Sequence, residues 1–168
     1  MTIKKYKAGF TMVELIIVIA IIAILAGIIF VAINPAKRFA DTRNTRRWAD
    51  ISNTLDAILK YQVDNAGTHA AGVPTADGNN YLIGTDSGDC STFTCENPTG
   101  TTITLQAACK NLAPGIAPDY ISSIPIDPRG GAYGSAAKTG YYISQGTAGR
   151  VTLGACSPEL SETISVSR

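Results

Sequence analysis

The distribution of apolar residues divides the chain near residue 34. The nineteen residues from Leu15 to Ile33 contain no charge, no side-chain amide and no hydroxyl. About 20 apolar residues make a helix long enough to cross the hydrocarbon core of a bilayer. The pattern therefore predicts a transmembrane helix over residues 10–34, with a single carboxylate, Glu14, near its start. An acid at the edge of such a segment is a functional candidate, because its burial in lipid is unfavourable.

A second, amphipathic helix is predicted over residues 35–66. Its apolar residues recur at offsets of three and four, the period of one helix face. They are Trp48, Ile51, Leu55, Ile58 and Leu59. The other faces are predicted to carry Arg47, Asp50, Asn53, Asp56 and Lys60. Pro35 predicts a kink between the two helices, since proline removes a backbone donor and clashes with the preceding turn.

Residues 67–168 are predicted to form one β-rich head. Gly140–Ser144 and Arg150–Ala155 are two β-rich runs, and the five residues between them include glycine, which is typical of a β-hairpin. Val151, Leu153 and Ala155 alternate along the second run, so they are expected to share one face against the amphipathic helix. The fold class that follows is α+β, a long kinked N-terminal helix packed on a small antiparallel β-sheet head.

Three further segments of the head carry weaker signals. A short strand is expected over Asn80–Gly84, and a short helix or turn between Gln106 and Leu112. Tyr120–Gly131 contains two alternating prolines, which exclude a central strand and indicate an extended edge or loop.

All four cysteines follow the apolar segment. An even number of cysteines in a small exported domain predicts disulfides, and four cysteines allow three pairings. The preferred pairing joins Cys90 to Cys95 in a tight loop and Cys109 to Cys156 as a staple for the C-terminal strand. Zinc is the competing interpretation, but no C-x2-C pair is present and the one histidine, His69, is distant in sequence.

The charge balance and the scattered polar residues do not favour an enzyme. Without Lys4, Lys5 and Lys7, which precede the apolar segment, 11 basic residues stand against 13 acidic ones, a charge of about −2 that gives no global attraction for nucleic acid. His69 has no nucleophile or orienting acid near it in sequence, and no phosphate-binding glycine loop follows a strand. Asp77, Asp86 and Asp89 do not match calcium-loop spacing and are interpreted as turn carboxylates. We therefore expect no enzymatic activity, no cofactor and no metal.

The basic residues around the apolar segment conflict with the expected orientation. Three lysines precede the segment, whereas five basic residues follow it within a short stretch, and these are Lys37, Arg38, Arg43, Arg46 and Arg47. The positive-inside rule would place the head in the cytoplasm, while the cysteines place it outside. The basic cluster itself is open to three interpretations: contact with lipid headgroups or a neighbouring subunit, DNA binding, or a solvated face without a role.

The residues just before the apolar segment form a recognisable signature. They are Ala8, Gly9, Phe10, Thr11, Met12, Val13 and Glu14, preceded by a leader with Lys4, Lys5 and Lys7. This sequence resembles the processing signature of type IV prepilins and pseudopilins. The resemblance implies that a prepilin peptidase cuts after Gly9, releasing a leader of residues 1–9, and methylates the new N-terminal residue, Phe10. It also assigns the family's acidic residue, fifth in the mature chain, to Glu14.

Elementary energetics agrees with that resemblance. Glu14 lies about 6 Å along the helix from Phe10, and a neighbouring subunit's freed amine could pair with it. Such a pair would fix the axial register, because a wrong stagger leaves a buried charge unpaired at several kcal/mol. Moving an apolar helix from lipid into a bundle of like helices gives little hydrophobic gain. We therefore expect a homo-oligomeric helical filament assembled by an external, ATPase-driven machine.

The sequence therefore predicts the structural subunit of a bacterial type IV pilus-like surface filament, or fimbrium. Its precursor would lie in the cytoplasmic membrane with the head outside. One alternative is a pseudopilin of a type II secretion or competence apparatus. The Ile-Pro-x-Asp-Pro loop at residues 124–128 resembles loops of both groups, but Arg129 stands where pseudopilins usually have an aromatic residue. The other alternative is a monomeric membrane-anchored binding domain.

Overall fold

The computed structural model describes residues 9–96, 100 and 102–168. The predicted leader, with Lys4, Lys5 and Lys7, lies outside the described residues apart from Gly9. The chain divides into two units, of which the first ends at Arg38 and the second runs from Phe39 to Arg168.

The first unit is dominated by helix α1, Met12–Ile33. Within it, Met12–Phe30 is long and apolar enough to cross a membrane, and none of this stretch is buried inside the protein. The apolar run that the sequence contains therefore folds as an unpartnered helix. Its length and composition agree with the predicted transmembrane segment.

The junction between the two helices is an interruption at a single residue. Asn34 has φ 45° and ψ 78°, in the left-handed region that asparagine tolerates better than most residues. Pro35 then begins helix α2, Pro35–Asp64, at a position where its missing N–H group breaks no helical hydrogen bond. The Asn34 side chain accepts a hydrogen bond from the Lys37 backbone N–H at 3.3 Å. The proline thus starts the second helix, and the break itself falls at Asn34.

Helix α2 buries a stripe that differs from the predicted one at its N-terminal end. Ile51, Leu55 and Ile58 are buried as expected. Trp48, however, is 39% exposed, while Arg47 is 0% exposed, so both predictions for this turn were wrong. Successive residues on a helix point about 100° apart, and the buried positions run through Arg47 and not through its neighbour. Arg47 can be buried because two acids, Asp127 and Glu159, form ion pairs with it.

The head contains a four-stranded antiparallel sheet in the order β1-β2-β3-β4. The strands are β1 Asn80–Leu82, β2 Tyr141–Gln145, β3 Val151–Ala155 and β4 Ser165–Ser167. The predicted hairpin is confirmed as β2 and β3, with Ile143 opposite Leu153. The predicted strand near residue 80 is confirmed as β1, while β4 was not predicted.

The sheet packs on both of its faces. On one face Val151, Leu153 and Ala155 belong to the same buried cluster as Ile51 and Leu55 of α2, which confirms the predicted packing. On the other face a smaller cluster surrounds Leu82 and Tyr142, and it includes the buried cysteines. The head therefore has a main core beneath α2 and a second core beneath the disulfide-bonded loops.

The predicted disulfide pairing was wrong, although all four cysteines are paired. The bonds join Cys90 to Cys109, with Cα atoms 5.6 Å apart, and Cys95 to Cys156, with Cα atoms 4.2 Å apart. The backbone explains both bonds. The Cys90 N–H donates to the Ala107 carbonyl at 2.8 Å, and the Glu96 N–H donates to the Cys156 carbonyl at 2.9 Å. Each cysteine is thus carried to a partner by main-chain pairing, and the zinc interpretation is excluded for these four residues.

The segment predicted as a short helix or turn between Gln106 and Leu112 forms no helix. It has a bend at residues 107–108 between two pairings with β1. Single β-bridges join Leu105 to Asn80 and Lys110 to Ile83, so the segment runs parallel to the end of β1. The short helix α3 begins afterwards, at Ala113–Ile116. Pairing with an existing strand satisfies the backbone of this segment, which removes the need for helical hydrogen bonds.

Candidate functional site

The start of α1 is closed by reciprocal hydrogen bonds between Thr11 and Glu14. Thr11 is the N-cap, with extended backbone at φ −85° and ψ 151°. The Glu14 N–H donates to the Thr11 Oγ1 at 3.2 Å, and the Thr11 N–H donates to the Glu14 Oε2 at 2.9 Å. The Thr11 hydroxyl also donates to that carboxylate oxygen, at 2.9 Å. This is a capping box, which satisfies donors that a helix N-terminus leaves without partners.

The capping box places the predicted processing residues outside the helix. Gly9 and Phe10 precede the cap, and the helix begins only at Met12. The Glu14 carboxylate accepts hydrogen bonds from the backbone and the side chain of Thr11. Thr11 is a residue that sequence reasoning missed, yet Thr-x-x-Glu directly before an apolar run is the signal for this cap.

The apolar side chains next to the cap are open to the surroundings. Phe10 is 88% exposed and Met12 is 78% exposed. The large apolar residues of α1 up to Phe30 are exposed as well. A continuous apolar surface of this kind marks a site that contacts lipid or another protein. The segment from Gly9 to Phe30 is therefore the candidate functional site.

The comparison with known protein families decides what this segment is. Residues 4–30 match the family model described as the prokaryotic N-terminal methylation motif. The chain carries the type IV prepilin-like signature. The signature supports a protein of the type IV pilin or pseudopilin kind, and it points to a structural protein and not to an enzyme. Together with α1 it supports membrane anchoring of the precursor.

The match covers residues 4–30, which include most of α1, and it does not extend into the head. No curated protein and no solved structure matches the chain. The cleavage after Gly9, the methylation of Phe10 and the assembly role of Glu14 therefore stay predictions.

A second polar constellation lies in the head, where α2 meets two loops. The Arg47 Nε and Nη2 atoms donate to both carboxylate oxygens of Asp127, at 2.8 and 3.0 Å. Its Nη1 atom donates to the Asn44 Oδ1 at 2.8 Å and to the Glu159 Oε2 at 3.0 Å. The side chains of Arg47 and Asp127 are both fully buried. We call Arg43, Asn44, Arg47, Asp127 and Glu159 the ion cluster.

Arg43 completes the ion cluster from the solvent side. Its Nε and Nη2 atoms donate to the two carboxylate oxygens of Glu159, each at 2.7 Å. These hydrogen bonds are the largest cause that lowers the pKa of Glu159 to about 2. A bidentate arginine–carboxylate pair is among the stronger polar contacts in proteins. The Glu159 carboxylate therefore stays charged at neutral pH.

The ion cluster changes the interpretation of the basic stretch after the membrane segment. Arg43 and Arg47 point to acids of their own head. Arg46 is exposed on α2. The stretch is therefore not a uniform basic face for DNA or lipid headgroups, because two of its arginines bind the head internally.

A buried tyrosine hydroxyl adjoins the ion cluster. The Tyr141 hydroxyl donates to the Asp50 Oδ2 at 2.7 Å. Burial raises the pKa of the Asp50 carboxyl, and burial together with this carboxylate raises the pKa of the Tyr141 hydroxyl. The contact satisfies two polar groups at the edge of the main core, and it gives neither group a reacting partner.

The acidic loop residues serve as turn acceptors, as predicted. The Asp77 Oδ1 accepts from the Asn79 N–H at 2.9 Å, and Asp86 accepts from the Gly88 N–H at 2.9 Å. Asp89 accepts from the Ser91 N–H at 2.9 Å. Within the part of the chain that the structure describes, no group of three or more His, Cys, Asp or Glu residues is placed to hold a metal ion.

His69 bridges the end of α2 to the sheet. Its Nε2 atom lies 2.8 Å from the Gln145 side-chain nitrogen, and its Nδ1 atom contacts the Gln62 side-chain nitrogen. Both neighbours are amides, which are poor general acids and bases. The contacts give this histidine a structural place between two elements.

Proposed function

We propose that this protein is the structural subunit of a type IV pilus-like filament. The observation that carries the proposal is the methylation motif at residues 4–30, joined to a helix whose apolar surface has no partner inside the protein. In the precursor, lipid would cover that surface. In the filament, the same helices of other subunits would cover it.

The proposed pathway starts in the cytoplasmic membrane with the head outside. A prepilin peptidase cuts after Gly9 and methylates the amine of Phe10. Two disulfides in the head support an oxidising location for it. An ATPase-driven machine then extracts the helix from lipid, because the exchange of lipid for like helices has little hydrophobic driving force of its own.

The Glu14 carboxylate is proposed to receive the Phe10 amine of a neighbouring subunit. Within one chain the carboxylate is held by Thr11 at 2.9 Å, so its charge is partly satisfied while the subunit waits in the membrane. A neighbouring amine would bring a positive charge to this carboxylate, and the Coulomb attraction between the two charges is one that the uncharged Thr11 donors do not supply. That difference favours the assembled register.

Mass spectrometry of the N-terminus of the exported protein tests the processing step. We expect a chain that begins at Phe10 and carries one methyl group on its α-amine. A Gly9→Ala variant that stays uncut in the membrane would support the same site. A wild-type protein that retains Met1, or that is cut beyond Ala32, contradicts the proposal and favours the monomeric membrane-anchored domain.

Electron microscopy of material sheared from the cells tests the filament. Long surface filaments that contain the mature chain support a pilus subunit. Filaments that form only when the chain is overproduced, together with loss of a secretion or DNA-uptake activity on deletion, favour the pseudopilin alternative. A protein recovered only as single copies in detergent contradicts both.

A further inference from the structure

The buried stripe of α2 changes chemistry along its length. Its C-terminal half presents Ile51, Leu55 and Ile58 to the main core. Its N-terminal half buries Ala40, Asn44 and Arg47 instead. The first half is therefore held to the head by polar contacts, whereas the second half is held by apolar packing.

Glu159 makes several of the polar contacts between residues 43–47 of α2 and the head. Its carboxylate accepts two hydrogen bonds from Arg43 and one from Arg47. Its backbone carbonyl accepts from the Asn44 Nδ2 at 2.7 Å, and its backbone N–H donates to the Asn44 Oδ1 at 3.0 Å. Glu159 thus contacts Arg43 with its side chain and Asn44 with its backbone.

The segment that carries Glu159 is anchored at both ends by contacts other than those of Glu159 itself. It begins after Cys156, which is bonded to Cys95. Further along, the Ala155 N–H donates to the Ile164 carbonyl at 3.0 Å, which ties the far end of the segment to β3. If the contacts of Glu159 broke, the segment between Cys156 and Ile164 would stay on the head, and residues 40–46 of α2 would detach from it.

We propose that Glu159 makes the docking of the first turns of α2 a releasable joint. Opening it frees residues 40–46 and removes the Asn44 and Glu159 acceptors of the Arg47 Nη1 atom. The two hydrogen bonds from Arg47 to Asp127 and the apolar half of α2 remain in place. The Arg47–Asp127 pair is the boundary of the opening, because it is fully buried and doubly hydrogen-bonded. Proteins open first in the units with the fewest buried apolar contacts, and the first turns of α2 fit that description.

When a force pulls on the N-terminal end of α2, the joint determines which part of the helix leaves the head first. The polar half would detach first, and the main core beneath Ile51 and Leu55 would stay closed. This use rests on the proposed filament role, in which the helix is held by neighbouring subunits. The joint itself depends only on the contacts within the head.

Hydrogen–deuterium exchange on the full chain in detergent tests the joint. The variant is Glu159→Gln, and the matched control is Glu162→Gln, an exposed glutamate in the same segment. Helices in proteins draw most of their stability from tertiary packing, so undocked turns should exchange faster. We expect the amides of residues 40–46 to exchange about tenfold faster or more in Glu159→Gln, which corresponds to about 1.4 kcal/mol. Those of residues 51–58 should be unchanged.

Two outcomes would overturn the proposal. In one, residues 40–46 exchange at the wild-type rate in Glu159→Gln. In the other, both halves of α2 accelerate by the same factor, which would mean that Glu159 supports only the global fold. Arg43→Gln provides a second, milder variant because that side chain is one-third exposed. It should accelerate the same segment by a smaller factor, and acceleration elsewhere would also count against the joint. A failure of filament formation with an intact joint would contradict only the proposed function.

Discussion

A buried guanidinium needs acceptors for its N–H groups, and Arg47 obtains them from three residues. Asp127 accepts from the Nε and Nη2 atoms, and Asn44 and Glu159 both accept from the Nη1 atom. Removing one side of a buried ion pair is more destabilising than the pair is stabilising, because the remaining charge stays desolvated. The ion cluster therefore makes the head sensitive to the loss of single residues.

The first prediction concerns Arg47 itself. Arg47→Ala leaves the buried Asp127 carboxylate without its main partner, so the free energy of unfolding should fall by about 3–5 kcal/mol. Arg46→Ala is the matched control, since Arg46 directly precedes Arg47 on the helix and is exposed. This control variant should change the free energy of unfolding by less than about 0.5 kcal/mol. Urea unfolding of both variants with the disulfides intact measures the difference. Equal stability of the two variants would contradict the burial of Arg47.

The second prediction concerns pH. Hydrogen bonds from Arg43 lower the pKa of Glu159 to about 2, from 4.5. A carboxyl whose pKa is lowered on folding stabilises the protein above its unfolded pKa, and this contribution is lost as the pH falls toward the folded pKa. Unfolding free energy should therefore decrease between about pH 4.5 and pH 2. Glu159→Gln should flatten this decrease in urea titrations at several pH values, and Glu162→Gln should preserve it. An unchanged slope in Glu159→Gln would show that other carboxyls cause the decrease.

The third prediction concerns the glycine that faces Tyr142 across the hairpin. A Cβ atom at Gly154 would clash with the Tyr142 hydroxyl oxygen and ring carbon Cζ. Tyr142 belongs to the second core, so it has little freedom to move. Gly154→Ala should lower stability by about 1–3 kcal/mol through overpacking. Gly146→Ala is the control, since its Cβ would meet only the Arg150 carbonyl at 3.9 Å. A Gly154→Ala protein as stable as the wild type would mean that the tyrosine repacks freely.

Sequence reasoning failed at Arg47 and Trp48 for a reason that belongs to single residues. Hydrophobicity alone puts the tryptophan inside and the arginine outside. The acids that reverse this order, Asp127 and Glu159, lie 80 and 112 residues away in sequence. Such partners are brought together only by the fold. Thr11, by contrast, lies three residues before Glu14, and its role as a cap could have been predicted.

At the scale of elements, long periodic segments could be predicted and short ones could not. Helices α1 and α2 and the β2–β3 hairpin follow from runs of apolar residues with a clear period. The segment before α3 and strand β4 contain only a few residues each, and their conformations depend on pairing with β1 and β3. The disulfide pairing failed for the same reason, because strand pairing chooses which cysteines meet.

The fourth prediction compares the two disulfides. Cys95 and Cys156 are 61 residues apart in sequence, whereas Cys90 and Cys109 are 19 apart. In the chain-entropy model the longer loop contributes about 4 kcal/mol and the shorter one about 3 kcal/mol. The double variant Cys95→Ala/Cys156→Ala should therefore unfold at a lower urea concentration than Cys90→Ala/Cys109→Ala. The reverse order would show that local packing in the second core outweighs loop closure.

At the scale of the whole molecule, the chain combines two kinds of surface. The head pairs many of its polar groups internally through the ion cluster, the turn acceptors and the sheet. Between Met12 and Phe30, helix α1 exposes its large apolar side chains, and one acid lies next to its start. An exposed apolar surface of this kind is typical of a segment that contacts lipid or another protein.

The fifth prediction separates the two roles open to Glu14. Glutamine at this position can still accept the Thr11 N–H and close the cap, but it carries no charge to pair with a neighbouring amine. We expect Glu14→Gln and Glu14→Ala to be cut normally after Gly9 and to yield about tenfold fewer sheared filaments or less, because a buried amine without a partner is unfavourable by several kcal/mol. Filament counts by electron microscopy, with N-terminal mass spectra of the same cells, measure both steps. If Glu14→Gln assembles with wild-type subunit spacing and Glu14→Ala does not, the acid acts through the cap and the charge pair is wrong.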